Sequence, residues 1–215
     1  MKIDVWSDVA CPFCYLGRET LEQALVEFEH ADEVEVRFRS FQLNPEAPTE
    51  ATQDVYDYLS AKYGITREQA ISQNQQIVAR GVELGIQFNM DQVQMTNTGS
   101  AHRLLHLALA NGKQDELCGR LFKAYFTDGL NVADPEVLVQ LATEVGLPLP
   151  TVTEVVEGTG FQNDVDADLN QARAYGITGV PFFVINEKYA ISGAQPESVF
   201  AEALGKAWAE SSPTR

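Results

Sequence analysis

The chain has 215 residues, 45% of them hydrophobic and 21% charged, a composition typical of a globular protein with a sizeable core. Its 31 acidic and 15 basic residues give a net charge of −16, which argues against nucleic-acid binding because such a surface repels phosphate backbones. No segment approaches the ~20 apolar residues that cross a bilayer, and the N-terminus lacks the pattern of a secretory signal, so we expect a cytoplasmic protein without a membrane partner.

The first forty residues predict a strand–helix–strand unit. Apolar and polar residues alternate over Lys2–Trp6, which is the pattern of a strand. Pro12 suits the first position of a helix, and apolar residues recur after it at helical spacing as far as Phe28. Alternation returns from Val34 to about Phe41, which predicts a second strand. If the two strands are parallel, their crossover should be right-handed.

The middle of the chain, from about Pro48 to Phe161, has helical spacing. Five helices are predicted there, at Asp54–Lys62, Arg67–Leu84, Thr98–Ala110, Asp115–Phe126 and Pro135–Val145. A glycine falls at or just past the end of each candidate, as expected for a helix C-cap.

The strand pattern returns near the C-terminus. Gly179–Asn186 is a short apolar run, and Tyr189–Ser192 follows it after a three-residue turn. A last helix is predicted from Pro196 to Trp208, and residues 209–215 are expected to be a frayed tail.

These elements predict an α/β fold interrupted by a large all-helical insertion. Residues 1–47 and 161–215 would form the two parts of the α/β domain, and residues 48–160 would form the helical insertion.

The motif Cys11-Pro12-Phe13-Cys14 stands at the predicted strand-to-helix turn. Two cysteines three residues apart in a helical turn meet the spacing that a disulfide requires. At the helix N-terminus, Cys11 would be the more exposed and more acidic thiol, because the helix dipole favours a thiolate there. Cys14, one turn further on, would then be the thiol that resolves a mixed disulfide.

Two other interpretations of the motif are open. A zinc site needs about four ligands, and the chain supplies only Cys118, three histidines and no second CxxC pair. His102 and His106 share one helix face, as metal-ligand pairs can, but they are also compatible with an ordinary core. Two unrelated buried cysteines are the third interpretation. Cys118 lies on an apolar helix stripe and is expected to be buried.

The segment Gly179-Val180-Pro181-Phe182 is a second candidate feature, because proline at the start of a buried strand removes a hydrogen-bond donor. A cis proline facing the cysteine motif would leave the Val180 backbone free to pair with an extended substrate. An ordinary turn proline explains the segment equally well.

Together these segments resemble the thioredoxin-fold DsbA family and, within it, the cytoplasmic FrnE-like branch. The resemblance spans nearly the whole chain and rests on five segments: SDVACPFCYLG, FQLNP, NTGSAHRL, LFKAYFTDGLNVAD and GVPFFVINEKYAISGAQP. It implies a thioredoxin-like domain with a helical insertion, a cis Val180–Pro181 bond beside Cys11, and thiol–disulfide oxidoreductase activity. No second disulfide centre is available, because Cys118 is the only other cysteine.

The resemblance also places Asn97 and His102 near the active site, where they would contact substrate, although Asn97 could equally cap a helix. Gln195, just before the last helix, is a further candidate for substrate binding, as are Val180, Pro181 and Phe13. We expect protein or low-molecular-weight disulfides and thiols as substrates, with no metal and no bound cofactor. Glutathione is a candidate co-substrate.

Two alternative functions remain. Glutathione-dependent kappa-class transferases and hydroxychromene-carboxylate isomerases share the insertion but typically have serine where Cys11 stands, so both cysteines favour disulfide exchange. A client-binding chaperone would instead use an apolar groove beside Phe13 and Val180, and its activity would survive loss of both cysteines.

Overall fold

A computed structural model describes residues 1–211 of the chain, and in that range the protein is a mixed α/β structure. One sheet contains four strands: β1 (Lys2–Ser7), β2 (Glu35–Ser40), β3 (Phe182–Ile185) and β4 (Tyr189–Ser192). Their order is β2-β1-β3-β4. β1 and β2 are parallel, as the strand–helix–strand pattern predicted, and β3 is antiparallel to both β1 and β4. Residues near the two ends of the chain therefore share one sheet.

The helices that the structure describes are α1 (Pro12–Val26), α2 (Val55–Tyr63), α3 (Arg67–Glu83), α4 (Gly99–Ala110), α5 (Gln114–Phe126), α6 (Pro135–Glu144), α7 (Leu149–Glu157), α8 (Gln162–Ala174) and α9 (Glu197–Ser211). The five predicted helices of the middle segment correspond to α2–α6, and each bound lies within one residue of its prediction. The helix α7 was not predicted. Two prolines so close together, Pro148 and Pro150, usually indicate a loop, but here they lie at the N-cap and in the first turn of α7, where proline is tolerated.

Alternate residues of the central strands face opposite sides of the sheet. Trp6 and Val184 form a small apolar cluster with residues of the α8 region, and the Trp6 Nε1–H donates to the Asp168 carbonyl at 3.1 Å. On the other face, Phe183 meets Phe200 of α9 edge-to-face, with ring centroids 4.8 Å apart. The sheet is therefore covered by helices on both sides.

The helices α2–α7 are not a separate globule, because their apolar side chains join those of α1 in one core cluster. Tyr15 of α1 stacks on Phe122 of α5, with centroids 5.1 Å apart and planes 6° apart. Its ring also contacts Phe88 and Phe126. The first helix therefore connects the sheet to the helical segment that lies between β2 and β3.

Two predicted bounds are wrong. The strand expected from Gly179 begins only at Phe182, because the preceding residues turn and Pro181 has no N–H to donate. The last helix continues past Trp208 to Ser211, whose hydroxyl donates to the Ala207 carbonyl at 2.7 Å. The part of the expected tail at residues 209–211 is therefore helical, and its remainder, residues 212–215, lies outside the described residues.

Among residues 1–211, the helices are all too short or too polar to span a membrane.

Candidate active site

The cysteine motif lies where β1 passes into α1. The chain leaves β1 after Ser7 and turns so that the Cys11 N–H donates to the Asp8 carbonyl at 3.0 Å. Cys11 is the N-cap of α1, and Pro12 occupies the first position, where no N–H is needed. The Cys11 carbonyl then accepts the first hydrogen bond of the helix from the Cys14 N–H, at 3.0 Å.

The two thiols are adjacent and unbonded in the structure. The side chains of Cys11 and Cys14 lie 3.4 Å apart. Burial raises the pKa of the Cys14 thiol well above its usual range, and a hydrogen bond to Cys11 and the charge there act in the same direction. Because that hydrogen bond needs the Cys14 proton, the arrangement keeps Cys14 protonated beside Cys11. The pair can be oxidised to a disulfide with little movement of the backbone.

The expected difference in exposure between the two cysteines is not present. Cys11 is 3% exposed and Cys14 is 2% exposed, so both are buried. The Val180 carbonyl lies over the Cys11 sulfur at 3.5 Å and accepts its weak S–H hydrogen bond. What distinguishes Cys11 is that it lines a cavity and Cys14 does not.

The pairing of β1 with β3 brings Val180 and Pro181 to the cysteine motif. The peptide bond between them is cis. α1 packs closely against Pro181 at Gly17, where an added Cβ would lie 3.0 Å from the proline Cγ and 3.0 Å from the Phe183 ring. Gly17 therefore allows the close approach of α1 to this segment. Sequence reasoning missed that role because nothing near Gly17 in the chain indicates what packs against it.

A cavity of about 610 Å³ opens beside Cys11, and we call it the Cys11 cavity. It lies between the motif and the helical segment, and its wall includes Val55, Tyr58, Leu59, Ile77, Met90 and Val93. Phe13, which is 41% exposed, also lines it. A volume of this size is typical of sites for small molecules. The apolar groove expected beside Phe13 and Val180 corresponds to it only in part, because Phe13 lines the cavity and Val180 does not. The rest of the wall comes from separate helices and a loop, which local sequence patterns do not bring together.

His102 lies beneath this site. Its ring is 1% exposed, and its Nε2 is 3.4 Å from Oδ1 of Asp8, while Nδ1 has no hydrogen-bond partner among the described residues. The Asp8 carboxylate also accepts from the Leu43 N–H at 2.7 Å and the Ala10 N–H at 3.4 Å, and it lines the cavity. Asp8, rather than His102, is therefore the member of the pair that borders the cavity. Sequence reasoning missed Asp8, although an acidic residue just before a buried cysteine motif is a recognisable signal.

The other candidate site residues are placed differently. Asn97 Oδ1 accepts from the Gly99 N–H at 2.8 Å, and its Nδ2 donates to the Pro45 carbonyl at 2.8 Å, so it joins the start of α4, whose N-cap is Thr98, to the loop after β2. It does not line the Cys11 cavity, whereas its neighbours Thr96 and Thr98 do. The exposed Gln195 donates through Nε2 to the Ser192 carbonyl at 2.8 Å and also lies outside the cavity wall.

Cys118 is buried in α5, as the sequence predicted, and burial raises the pKa of its thiol well above the usual range. His106 is hydrogen-bonded to Ser40 and lies 3.1 Å from Asp168 through Nε2. Within residues 1–211, no group of three or more histidine, cysteine or acidic side chains is arranged to hold a metal ion.

Comparisons with known proteins agree with this architecture. A model of the DSBA-like thioredoxin domain matches residues 2–205. The uncharacterized protein YwbO of Bacillus subtilis is 30% identical over 206 residues, which are 95% of this chain and 96% of YwbO. The crystal structure of a probable DsbA oxidoreductase from Streptomyces coelicolor is 39% identical with a TM-score of 0.94, covering 100% of this chain and 93% of that chain.

The structure of a 2-hydroxychromene-2-carboxylate isomerase has a TM-score of 0.71, covering 99% of this chain and 100% of that chain. At 13% sequence identity it shares the fold alone.

Proposed function

The chain belongs to the DsbA-like thioredoxin domain family, and on that basis we propose that it is a thiol–disulfide oxidoreductase whose redox centre is Cys11-Pro12-Phe13-Cys14. The observation that carries this proposal is the separation of 3.4 Å between the Cys11 and Cys14 side chains at the start of α1. In addition, the Cys11 thiol borders a cavity, whereas the Cys14 thiol is buried and does not line that cavity.

The reaction starts at Cys11. Its thiolate attacks one sulfur of a substrate disulfide, forms a mixed disulfide and releases the other sulfur as a thiolate. Cys14 then attacks the mixed disulfide and releases the second substrate thiol, so the two cysteines are oxidised and the substrate is reduced by two electrons. The proton that Cys14 holds toward Cys11 gives the thiolate a hydrogen-bond donor.

The remaining site residues support the same chemistry. The Val180 carbonyl lies 3.5 Å from the Cys11 sulfur, so a substrate bonded to Cys11 would lie beside Val180, and Pro181 packs against Gly17. Phe13 would contact the bound substrate at the edge of the cavity. We assign no substrate contact to Asn97 and Gln195, because their amides are hydrogen-bonded elsewhere.

We further propose a cytoplasmic location and membership of the FrnE-like branch. Reducing compartments keep thiols free, and there a CxxC pair is more often catalytic than structural. The third cysteine is buried with a raised pKa and is unsuited to exchange. In such a compartment the enzyme would act as a disulfide reductase or isomerase, with a low-molecular-weight thiol such as glutathione regenerating the dithiol.

The test is a pair of cysteine variants assayed with a model disulfide. Cys14→Ser should accumulate a mixed disulfide at Cys11, visible by mass spectrometry, because the resolving thiol is absent. Cys11→Ser should lower the rate of exchange to the uncatalysed background. Cys118→Ala is the matched control and should keep the wild-type rate, since that thiol is buried away from the motif. Wild-type activity in Cys11→Ser would disprove the proposal.

A glutathione-dependent isomerase is the second candidate, favoured by the fold shared with the hydroxychromene-carboxylate isomerase. Enzymes that resemble it typically have serine in place of Cys11, and they need no resolving thiol. Glutathione-dependent isomerisation that persists in Cys14→Ser, in the absence of disulfide exchange by the wild type, would favour this candidate.

A further inference from the structure

Cys11 can be reached through the Cys11 cavity. The residue is only 3% exposed, and the Val180 carbonyl covers its sulfur on the side of β3. The cavity, in contrast, has Cys11, Pro12 and Phe13 in its wall. A space of about 610 Å³ is large enough to hold a small disulfide.

The wall of the cavity is mainly apolar. Aliphatic and aromatic side chains come from α2, from α3 and from the loop between α3 and α4, among them Leu59, Ile77 and Val93. Such a wall stabilises an apolar ligand by removing its surface from water. A strongly polar molecule would lose hydrogen bonds to water that these side chains cannot replace. The apolar part of the lining therefore favours a ligand with an aromatic or aliphatic body.

The cavity lining has more basic than acidic residues, whereas the chain as a whole is strongly acidic. The lining has two cations, Lys62 and Arg80, and one acidic residue, the buried Asp8. Asp8 is occupied by the Leu43 and Ala10 N–H groups and by His102. Lys62 and Arg80 are both exposed, and among residues 1–211 neither belongs to an ion pair. Lys62 Nζ donates to the Tyr58 hydroxyl at 3.3 Å and Arg80 Nη2 donates to the Ala194 carbonyl at 2.8 Å, and each cation keeps further N–H groups. In a chain of net charge −16, these two positive side chains can attract an anion to the cavity.

We propose that the natural substrate is a low-molecular-weight disulfide with an apolar body and an acidic group. Its body would lie along α2 and α3, its acidic group would face one of the two cations, Lys62 or Arg80, and its disulfide would meet Cys11. This rests on the proposed oxidoreductase function. The Cys11 thiolate bonds to one substrate sulfur and the other leaves as a thiolate; Cys14 then displaces the bound half, so one disulfide forms in the protein as one is broken in the substrate.

The first experiment fills the cavity. Reduced protein is mixed in single turnovers with 5,5′-dithiobis(2-nitrobenzoate), an acidic aryl disulfide, with the uncharged 4,4′-dithiodipyridine, and with insulin as a protein disulfide. Ile77→Trp should slow both aryl disulfides at least about tenfold, because tryptophan occupies the space of the aryl body, and should slow insulin less, because only the disulfide of insulin has to reach Cys11. Ala79→Trp is the matched control, since Ala79 is exposed on the same helix and lies outside the wall.

If Ile77→Trp does not fold, Gln73→Trp at the exposed edge of the cavity tests the same space. Unchanged rates with both aryl disulfides in a folded Trp variant would overturn the inference.

The second experiment removes the charges. At least one of Lys62→Gln and Arg80→Gln should slow the acidic disulfide by roughly two- to fivefold, the effect of one exposed charge, and both variants should leave the neutral disulfide unchanged. Lys123→Gln, at an exposed lysine outside the cavity, should change neither rate. Equal effects on the acidic and neutral disulfides would overturn the assignment of an acidic group.

A binding measurement separates this inference from the proposed function. 8-Anilinonaphthalene-1-sulfonate is an apolar anion without a disulfide. It should bind the folded protein, protect Cys11 from alkylation by iodoacetamide and lose affinity in Ile77→Trp. Absence of exchange with every disulfide would disprove the proposed function while leaving this result intact. Failure of the dye to bind or to protect Cys11, in a protein that exchanges disulfides, would overturn the inference alone.

Discussion

The buried Cys14 thiol can determine the rate of the second step of disulfide exchange. Burial raises the pKa of its thiol well above the usual range, so at neutral pH the residue is a thiol rather than the nucleophilic thiolate. Once Cys11 is in a mixed disulfide, its own contribution to that pKa is gone, but the burial remains. The second step of exchange should therefore be limited by loss of the Cys14 proton.

We predict that resolution of the mixed disulfide accelerates as pH rises. Below the pKa of Cys14, its thiolate fraction grows about tenfold per pH unit, and the rate should follow with a slope of up to that size between neutral and alkaline pH. Stopped-flow release of the second thionitrobenzoate from 5,5′-dithiobis(2-nitrobenzoate) measures the step. Cys14→Ser should lack the second phase altogether. A second phase with a constant rate across this pH range would contradict the assignment of Cys14 as the resolving thiol.

Single residues also mark the limits of sequence reasoning at the site. Cys11 and Cys14 could be identified because their spacing alone carries the chemistry, and Cys118 because its neighbours form an apolar stripe. The burial of Cys11 could not be predicted, since the carbonyl that covers it belongs to Val180, far away in the chain. For the same reason the partners of Asp8 were not apparent.

At the scale of elements, helix α8 is held to the sheet through one buried carboxylate. Asp168 accepts from Arg39 Nη1 at 3.0 Å and from the Ser40 N–H at 2.8 Å, and it lies 3.1 Å from His106 Nε2. These partners belong to β2 and α4. Burial acts to raise the pKa of Asp168, but the hydrogen bonds from His106 and Ser40 and the charge of Arg39 outweigh it, so the pKa is lowered.

We predict that Asp168→Asn lowers the free energy of unfolding by about 2 to 4 kcal/mol at neutral pH, because Arg39 and the neighbouring donors lose their charged partner. Since the folded pKa is lowered, this stabilisation is present above the unfolded value of ~3.9 and is lost as pH falls through the folded pKa. The difference between wild type and variant in urea unfolding should therefore be constant from neutral to mildly acidic pH and shrink below that value.

Asp166→Asn, at an exposed position of the same helix, is the control and should change stability by less than about 0.5 kcal/mol. A difference for Asp168→Asn that stays the same down to the most acidic pH would show that the carboxylate charge is not what holds α8.

Most elements were predictable because their signals are local. Helices α2–α6 combine apolar spacing with a glycine at the end, and both features belong to the element itself. Helix α7 was not predicted because its first turn contains proline. The predicted range of β3 was too long because an apolar run does not show where the hydrogen bonds of a strand begin. The α/β fold class could be predicted from the order of the elements. The division of the chain into domains after residues 47 and 160 stays a prediction.

At the scale of the whole molecule, the helical segment and the sheet share their core. The buried cluster includes Ile3 and Leu16 from the sheet part and Leu104 and Leu121 from the helical segment. Tyr15 lies between them, stacked on Phe122. The sequence indicates an insertion but does not show how it packs, because these contacts join residues far apart in the chain. A shared core implies that neither part is stable without the other.

We therefore predict that the protein unfolds in one cooperative transition. Its two tryptophans, Trp6 in β1 and Trp208 in α9, report on the sheet part, while far-ultraviolet circular dichroism reports mainly on the helices. The urea midpoints from fluorescence and from circular dichroism should coincide. Tyr15→Ala should lower both by the same amount, at a cost of about 2 to 4 kcal/mol, whereas Tyr63→Ala, at a side chain 62% exposed, should leave both nearly unchanged. Two separated midpoints, or a shift of only one of them in Tyr15→Ala, would mean that the helical segment folds independently of the sheet.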